Sequence, residues 1–250
     1  MSGLDDAPTG REDRDSAGIP WHGRELSPSG FEHDTGEADP VLARALAART
    51  DDAALVAAVS GARLLVPVLA RSAETDAAGG RPADTRAEMS TVTLRAADGQ
   101  RALPVFSCLD ALGRWDPSAR PVPVTAARAA QSAVTEGCDV IVVDVAGPDP
   151  VVLRPSMVWA LAQERDWLAP HEDPFVAASL ARALAEEDDV VAHDVEEGRP
   201  VGRGVLGVVL TLRPGLAQPE VQALATRVGE RLAADGELRA RVDGLAFRIV

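Results

Sequence analysis

The fold is decided by residues 91–115, TVTLRAADGQRALPVFSCLDALGRW. Val92 and Leu94 alternate with polar residues, and this period of two is typical of a half-buried strand. The pair Asp98-Gly99 predicts a tight hairpin turn, since glycine tolerates the positive φ that such turns need. Residues 103–106 then supply the return strand, so the stretch predicts two antiparallel strands.

A helix is expected directly after this hairpin. The side-chain oxygen of Ser107 can accept a hydrogen bond from the backbone N–H of Asp110, which is one way in which a serine begins a helix. The apolar face of the predicted helix is formed by Leu109, Leu112 and Trp115.

Composition limits the class of protein. The 250 residues are 46% hydrophobic but only 3% aromatic, so one large core or two small ones must be built from Ala, Leu and Val. Lys, Asn and Tyr are absent, a bias typical of a GC-rich bacterial genome. The net charge of −14 repels phosphate backbones and anionic lipids, which argues against nucleic-acid and membrane partners.

The cysteines and the hydropathy indicate the compartment. Cys108 and Cys138 form neither a CxxC motif nor a metal-ligand spacing, so we interpret them as two small buried thiols in a reducing cytosol. A disulfide or redox pair is the alternative. Neither a membrane span nor an apolar signal core is evident, so the predicted location is cytoplasmic, with no metal and no cofactor.

The first part of the chain is an acidic tail. Residues 1–40 hold ten acidic side chains against three arginines, a net charge of −7. Such a segment buries too little apolar surface to offset its ordering entropy, so we expect residues 1–38 to be disordered. Ile19-Pro20-Trp21 is its one apolar anchor, and His22 and His33 would bind metal only weakly.

A first folded domain is predicted over residues 39–168. Asp39 and Asp51 are each expected to cap a helix. The run 63–70 predicts a buried strand, in which Pro67 indicates a sheet edge or a bulge.

The second half of this domain alternates strands and helices. Thr125 is expected to cap a helix that runs to about Gly137, and Val140–Val143 predicts a central strand covered on both faces. Pro155 begins another helix, and residues 72–85 predict a loop. The apolar side of the helix at Pro155 includes Val158, Trp159 and Leu161.

The order of these motifs resembles a known family. The motifs are Leu103–Ser107, Arg120–Val124, Ala126–Gly137, Asp139–Gly147 and Arg154–Ala162. Over about residues 41–168 they are similar to the SseB N-terminal domain in its actinobacterial form. The motifs are apolar and structural, so the resemblance implies a fold and assigns no catalytic residue. It also implies a second domain, since SseB-type proteins often carry one.

That second domain is predicted over residues 173–250. Asp173 is expected to cap a helix that carries Phe175, Val176 and Leu180 on its apolar side. The following pattern is α-β-β-α-β, with one or two final strands over 238–250. We therefore predict an α+β protein of two sandwich domains with mixed sheets.

The glycine-rich turn 202–207, GRGVLG, matches both a dinucleotide-binding fingerprint and the glycine loop of protein kinases. A dinucleotide motif follows a strand and opens a helix, whereas these glycines run into the apolar run 208–212. A kinase needs a phosphate-pairing lysine, and the chain has none. We interpret the segment as a turn with close strand packing.

Few polar residues are candidates for chemistry. His171-Glu172-Asp173 could hold a metal, but Asp173 is better used as a helix cap. His193-Asp194 lies in a predicted strand, where neighbouring side chains face opposite sides of the sheet. Ser107 lacks the flanking glycines of a nucleophile elbow. Cys108 would lie at a helix N-terminus, which lowers a thiol pKa, and is the one candidate catalytic residue.

The leading hypothesis is therefore a cytoplasmic, non-enzymatic module that binds protein partners or has a regulatory role. Convergent polar residues are lacking, while packing signals are plentiful. The alternative is a small-molecule-binding protein or an enzyme with its site between the two domains.

Overall fold

The structure is a computed structural model that describes residues 30–48, 51–71, 88–97 and 99–250. The α-helices in these ranges are α1 Pro40–Ala48, α2 Asp52–Ser60, α3 Leu109–Trp115, α4 Ala126–Thr135, α5 Pro155–Ala162, α6 Pro174–Leu184, α7 Gln218–Ala234 and α8 Gly236–Arg239. The strands are β1 Arg63–Arg71, β2 Glu88–Thr91, β3 Leu94–Arg95, β4 Arg101–Val105, β5 Arg120–Thr125, β6 Val140–Val143, β7 Val151–Leu153, β8 Val190–Glu197, β9 Val205–Leu212 and β10 Gly244–Ile249. A 3₁₀ turn spans Pro170–Glu172.

Three sheets form, with strand orders β2-β1-β5, β3-β4-β6-β7 and β10-β9-β8. The first is antiparallel, whereas the other two each contain one parallel pair, β4 with β6 and β9 with β10. This arrangement confirms the predicted α+β class with mixed sheets. The predictions for residues 1–29, including the Ile19–Trp21 anchor, and for loop 72–85 lie outside the described residues.

The hairpin of the stretch 91–115 is confirmed, but its first strand is shorter than predicted, because Thr91 belongs to β2 and pairs with Val68 in another sheet. β3 pairs antiparallel with β4, Leu94 opposite Ala102, and the turn is closed by the amide of Ala96, which donates to the carbonyl of Gln100 at 2.9 Å. The helix α3 follows as predicted, with Leu112 buried. Leu109 is 45% exposed, so its predicted place on the apolar face is wrong.

The predicted cap at Ser107 is wrong. The residue that precedes α3 is Cys108, which makes no side-chain cap hydrogen bond. Ser107 instead donates its amide N–H and its hydroxyl to the carboxylate of Asp144, at 2.8 and 2.7 Å. Because β4 and β6 are parallel, their carboxyl ends lie side by side and bring these two residues together.

The strand β1 is central in its sheet, so the edge position inferred from Pro67 is wrong. Leu65 exchanges both backbone hydrogen bonds with Phe106 at 2.9 Å, on the side of β1 away from β5. By the period of two, the nitrogen of Pro67 points to that same side. On that side, Leu65 pairs with Phe106, and the ladder with β2 begins only at Val68 opposite Thr91. The nitrogen of Pro67 therefore faces the gap between Phe106 and β2, and the proline removes no ladder hydrogen bond.

The predicted helix starts are confirmed where the cap is local. Asp39 accepts the amide N–H of Val41 at 2.8 Å, and Asp51 accepts that of Ala54 at 2.9 Å. Thr125 accepts the amide N–H of Arg128 at 3.3 Å.

The first hydrophobic core lies under β6. This strand sits between β4 and β7, and Ile141 is 1% exposed, so its predicted central position is confirmed. Helices α4 and α5 belong to the same core as Ile141, so both pack on one face. The opposite face of this sheet is buried at Val140 but exposed at Val152 of the neighbouring β7. Trp159 is 40% exposed, so its predicted place on the apolar side of α5 is wrong.

The second core joins α6 and α7 to one face of the sheet β10-β9-β8. Its buried residues are Val176, Leu180, Ala183, Leu184, Leu206, Val208, Leu210, Leu224, Val228, Leu232 and Leu238. The sequence predicted one or two strands over residues 238–250, and one strand, β10, forms there. Asp235 accepts the amide N–H groups of Glu237 and Leu238 at 3.1 Å and so begins the short α8 instead.

Residues 36–250 form one compact unit that contains both cores, and residues 30–35 form a separate turn. Gly36 and Glu37, which the sequence places in the tail, accept hydrogen bonds from Leu109 and Arg63 of the larger unit. The division into domains at 39–168 and 173–250 stays a prediction.

Candidate functional site

The strongest polar network lies where the two cores meet. Arg154, just before α5, donates to Asp243 at 2.9 Å, to Asp52 at 2.7 Å and to the carbonyl of Gly202 at 3.2 Å. Ser156 donates its amide N–H and hydroxyl to the Asp243 carboxylate at 2.7 and 2.8 Å. This cluster, here called the junction network, ties the start of β10 to the first core.

Burial and ion pairing shift the pKa of Arg154 in opposite directions. Its side chain is 14% exposed and that of Asp243 is 6% exposed. Burial alone would lower the pKa of Arg154, but the hydrogen bonds and charges of Asp52 and Asp243 outweigh it, so its pKa is raised. The guanidinium stays charged and therefore holds the two segments together, rather than exchanging protons.

No local sequence pattern indicates the junction network, because its members lie far apart along the chain. Arg154 and Asp243 are 89 residues apart. Gly204 is part of the arrangement, since its φ is +67° and a Cβ there would collide with the Asp243 carboxylate. This contact accounts for one glycine of the turn 202–207.

A cleft of about 420 Å³ opens beside the junction network. It is lined by Asp51, Asp52, Ala53, Trp167, Ala169, His171, Glu172, Glu197 and Gly202. Four of these residues are carboxylates; Asp52 is paired with Arg154, and the other three leave the cleft with an excess of negative charge that favours a cationic group.

His171 borders this cleft. Its Nδ1 is buried and has no hydrogen-bond partner in the described part of the chain, and its Nε2 is 3.9 Å from Glu172 Oε1. Asp173 caps α6, as predicted, by accepting the amide N–H of Phe175 at 2.8 Å, and it also pairs with Arg241 at 2.7 Å. Across the described ranges, no group of three or more His, Cys, Asp or Glu residues is placed to hold a metal ion.

The other predicted polar candidates do not converge. His193 and Asp194 lie in β8 opposite Leu210 and Val209, one on each face. The glycines 202–207 form a turn that leads into β9, and a Cβ at Gly207 would lie 2.9 Å from Glu196 Cγ, which is the close strand packing inferred from the sequence. No helix begins at this turn, so it offers no N-terminus for a pyrophosphate.

Cys108 lies next to the pair Ser107–Asp144. Asp144 adopts φ +53°, an uncommon conformation for a residue other than glycine, and its carboxylate accepts both Ser107 donors. A histidine that could activate Ser107 or Cys108 is absent from these contacts. Both cysteines are free thiols, Cys108 half-buried and Cys138 buried, and burial raises the pKa of Cys138.

The outer edge of β10 is an exposed sheet edge with apolar side chains, unlike the polar clusters described above. β10 pairs only with β9 among the described residues, so it is the last strand of its sheet. Leu245 is 38% exposed, Ile249 is 40% exposed and the following Val250 is 58% exposed. An edge strand with exposed apolar residues is a template for strand pairing.

The opposite edge of the same sheet, on β8, is protected. Its register shifts between Val190 and Ala192, and its middle carries His193 and Asp194, while Glu196 is ion-paired with Arg248 of β10 at 2.7 Å. Bulges and charges are the usual devices that keep an edge from pairing.

Comparison with known protein families assigns the first part of the chain. Residues 39–160 match the family model of the SseB protein N-terminal domain. Residues 39–160 belong to the SseB family. This confirms the resemblance read from the motifs between Leu103 and Ala162, while the actinobacterial type stays a prediction.

The SseB domain contains β6, Cys108 and Arg154, whereas Asp243 and β10 lie beyond the matched residues. Neither curated proteins nor solved structures gave a match to the chain. None of the described helices combines the length and the apolar character needed to cross a bilayer.

Proposed function

We propose that this SseB-family chain is a non-enzymatic protein-interaction module of the cytoplasm, which adds an extended strand of a protein partner to the outer edge of β10. The observation that carries the proposal is the exposure of Leu245 and Ile249 on a strand with no outer neighbour among the described residues. Strand addition takes its affinity from main-chain hydrogen bonds and its specificity from alternate side chains.

The use of the polar residues supports this proposal. Ser107 and Asp144 bind one another, and Arg154 and Asp243 join two cores. Asp173 caps a helix. Each of these groups already has a structural partner, whereas the outer edge of β10 pairs with no strand among the described residues.

The junction cleft supports a second candidate function, the binding of a small cationic molecule such as an amine. The cleft has a volume of about 420 Å³, within the range of ligand sites, and its carboxylates Asp51, Asp52, Glu172 and Glu197 favour positive charge. A thermal-shift series of amines against matched carboxylic acids tests this candidate. Stabilisation by the amines, abolished in Glu197→Gln, would favour it over the interaction module.

The test of the proposed function compares edge variants with a surface control. Ile249→Lys places a charge on the β10 edge, while Val191→Lys places one on β8, where the side chain is already 66% exposed. Partners captured from native cytosol by the wild-type chain and by Val191→Lys should be lost from Ile249→Lys. Amide exchange at Leu245, Phe247 and Ile249 should slow in the captured complex. Equal capture by all three chains would overturn the proposal.

A further inference from the structure

We infer that the strand added to this edge is β10 of a second copy of the chain, paired antiparallel about a two-fold axis at Phe247. The inference rests on the proposed function and names the partner of the same edge.

The backbone of β10 determines which groups are free to pair. The amide of Val250 donates to the carbonyl of Leu210 at 3.0 Å, so its N–H points toward β9. Because backbone direction alternates along a strand, the N–H and C=O groups of Leu245, Phe247 and Ile249 point to the outer edge. These three residues offer six hydrogen-bonding groups in a regular row.

The side chains favour one register. With Phe247 opposite Phe247 of the second copy, Leu245 lies opposite Ile249 and Ala246 lies opposite Arg248. Arg248 is bound to Glu196 of its own chain at 3.0 and 2.7 Å. A shift that places Arg248 opposite Arg248 would crowd two such guanidinium groups of like charge, which disfavours the pair. The opposite shift, centred on Ala246, leaves Ile249 without a strand partner. The register at Phe247 therefore pairs the most residues without a charge clash.

The exposed apolar side chains lie on the same face in this register. Leu245, Phe247 and Ile249 pair with Leu206, Val208 and Leu210 of β9, which are all buried in the second core. A two-fold axis normal to the sheet keeps the helices of both copies on that face. Pairing then covers Leu245 of one copy with Ile249 of the other, at both ends of the seam.

The alternative of pairing β10 with β8 of the next copy would give an open filament rather than a closed dimer, because such a contact is head-to-tail. The bulge and the charges of β8 oppose that contact. A closed pair is therefore the expected assembly. The contact is short, so it is a weak one.

Two measurements on the full chain test the inference. Mass is followed by sedimentation equilibrium from roughly 1 µM to 1 mM, a range over which weak pairing becomes visible. The wild-type mass should rise from 26.1 kDa toward twice that value and stop there. Ile249→Pro removes one outward N–H and leaves the β9 ladder intact, so this variant should stay a monomer, whereas the matched control Ile249→Val should pair like the wild type.

Cross-linking tests the register. Ala246 and Arg248 of the two copies form a non-hydrogen-bonded pair, with Cα atoms about 4.5 Å apart, which a disulfide can span. A mixture of Ala246→Cys and Arg248→Cys chains should form a mixed disulfide under mild oxidation, while each variant alone and the wild type should not.

A wild-type chain that is monomeric at every concentration, or a mass that grows past the dimer, would overturn the inference, as would a disulfide in Ala246→Cys alone. The proposed function is tested separately. If the chain is a monomer but Ile249→Pro loses partners that Ile249→Val captures, only the self-pairing fails. If both variants capture the same partners from a monomeric wild type, both proposals fail.

Discussion

β6 and β10 are both rich in apolar residues but differ in their surroundings. Each pairs in parallel with one neighbour, β4 or β9. β6 has β7 on its other side and Ile141 is 1% exposed, whereas β10 has no described strand on its other side and Leu245 is 38% exposed. The comparison shows that position in the sheet, rather than apolar composition, separates a buried strand from an exposed edge strand.

The largest expected effect comes from Arg154→Leu, which releases the start of β10 from the first core. The change leaves the Asp243 carboxylate buried without its charge partner, and breaking a buried pair in this way costs about 3–5 kcal/mol. Denaturant titration measures the free energy of unfolding.

The matched double variant Arg154→Leu with Asp243→Leu removes both charges and should recover part of the loss. If Arg154→Leu alone costs less than about 1 kcal/mol, the junction network does not hold β10 in place.

Ile141→Ala and Leu245→Ala compare the two strands directly. Ile141→Ala removes buried methyl and methylene groups and leaves a cavity, so it should cost about 2–5 kcal/mol. Leu245→Ala truncates an exposed side chain and should cost under about 1 kcal/mol. Equal costs in the denaturant titration would show that the two strands are equally buried in solution, and would remove the contrast between them.

Acid is expected to act on the second core through Glu187. Arg227 donates to this buried carboxylate at 2.6 Å, and this hydrogen bond, with the charges of Arg227 and Arg231, outweighs burial and lowers the pKa of Glu187. A lowered pKa stabilises the fold above the unfolded value of about 4.3, and this stabilisation is lost as the pH falls through the folded value.

Glu187→Gln should therefore be less stable than the wild type at neutral pH. The difference in unfolding free energy should shrink toward acid pH, because the wild-type carboxyl becomes neutral like the amide. Thermal unfolding of both chains between pH 7 and pH 3 measures this difference. A difference that is constant across the range would contradict the assigned role of the ion pair.

The smallest expected effect concerns the thiols beside the sheet β3-β4-β6-β7. Cys108 is half-buried and Cys138 is buried, with a pKa that burial raises. Cys108 should therefore be alkylated faster in the native chain, because the thiolate is the reactive form and must be reached by the reagent. Peptide mass analysis after timed labelling distinguishes the two, and equal slow rates would make both thiols structural.

Local interactions could be predicted from the sequence, and distant ones could not. Asp39, Asp51 and Asp173 each accept an amide N–H two or three residues ahead, so a short window contains all the information. Ser107 belongs to the same class of residue, but it donates to Asp144, 37 residues away, and the residue directly before α3 is Cys108. Hydrogen bonds to a charged acceptor are strong, and only the parallel pairing of β4 with β6 brings this acceptor close.

The sequence by itself determined the described α-helices other than the short α8, most of the strands, the hairpin of residues 91–115 and the resemblance to the SseB domain, because each rests on periodicity or on neighbouring residues. The tertiary structure alone decided which strands are covered. It placed Pro67 in the middle of a sheet, Arg154 against Asp243, and Leu245 on an open edge. Burial and ion pairing depend on which distant segments meet, and no local pattern in this chain encodes that.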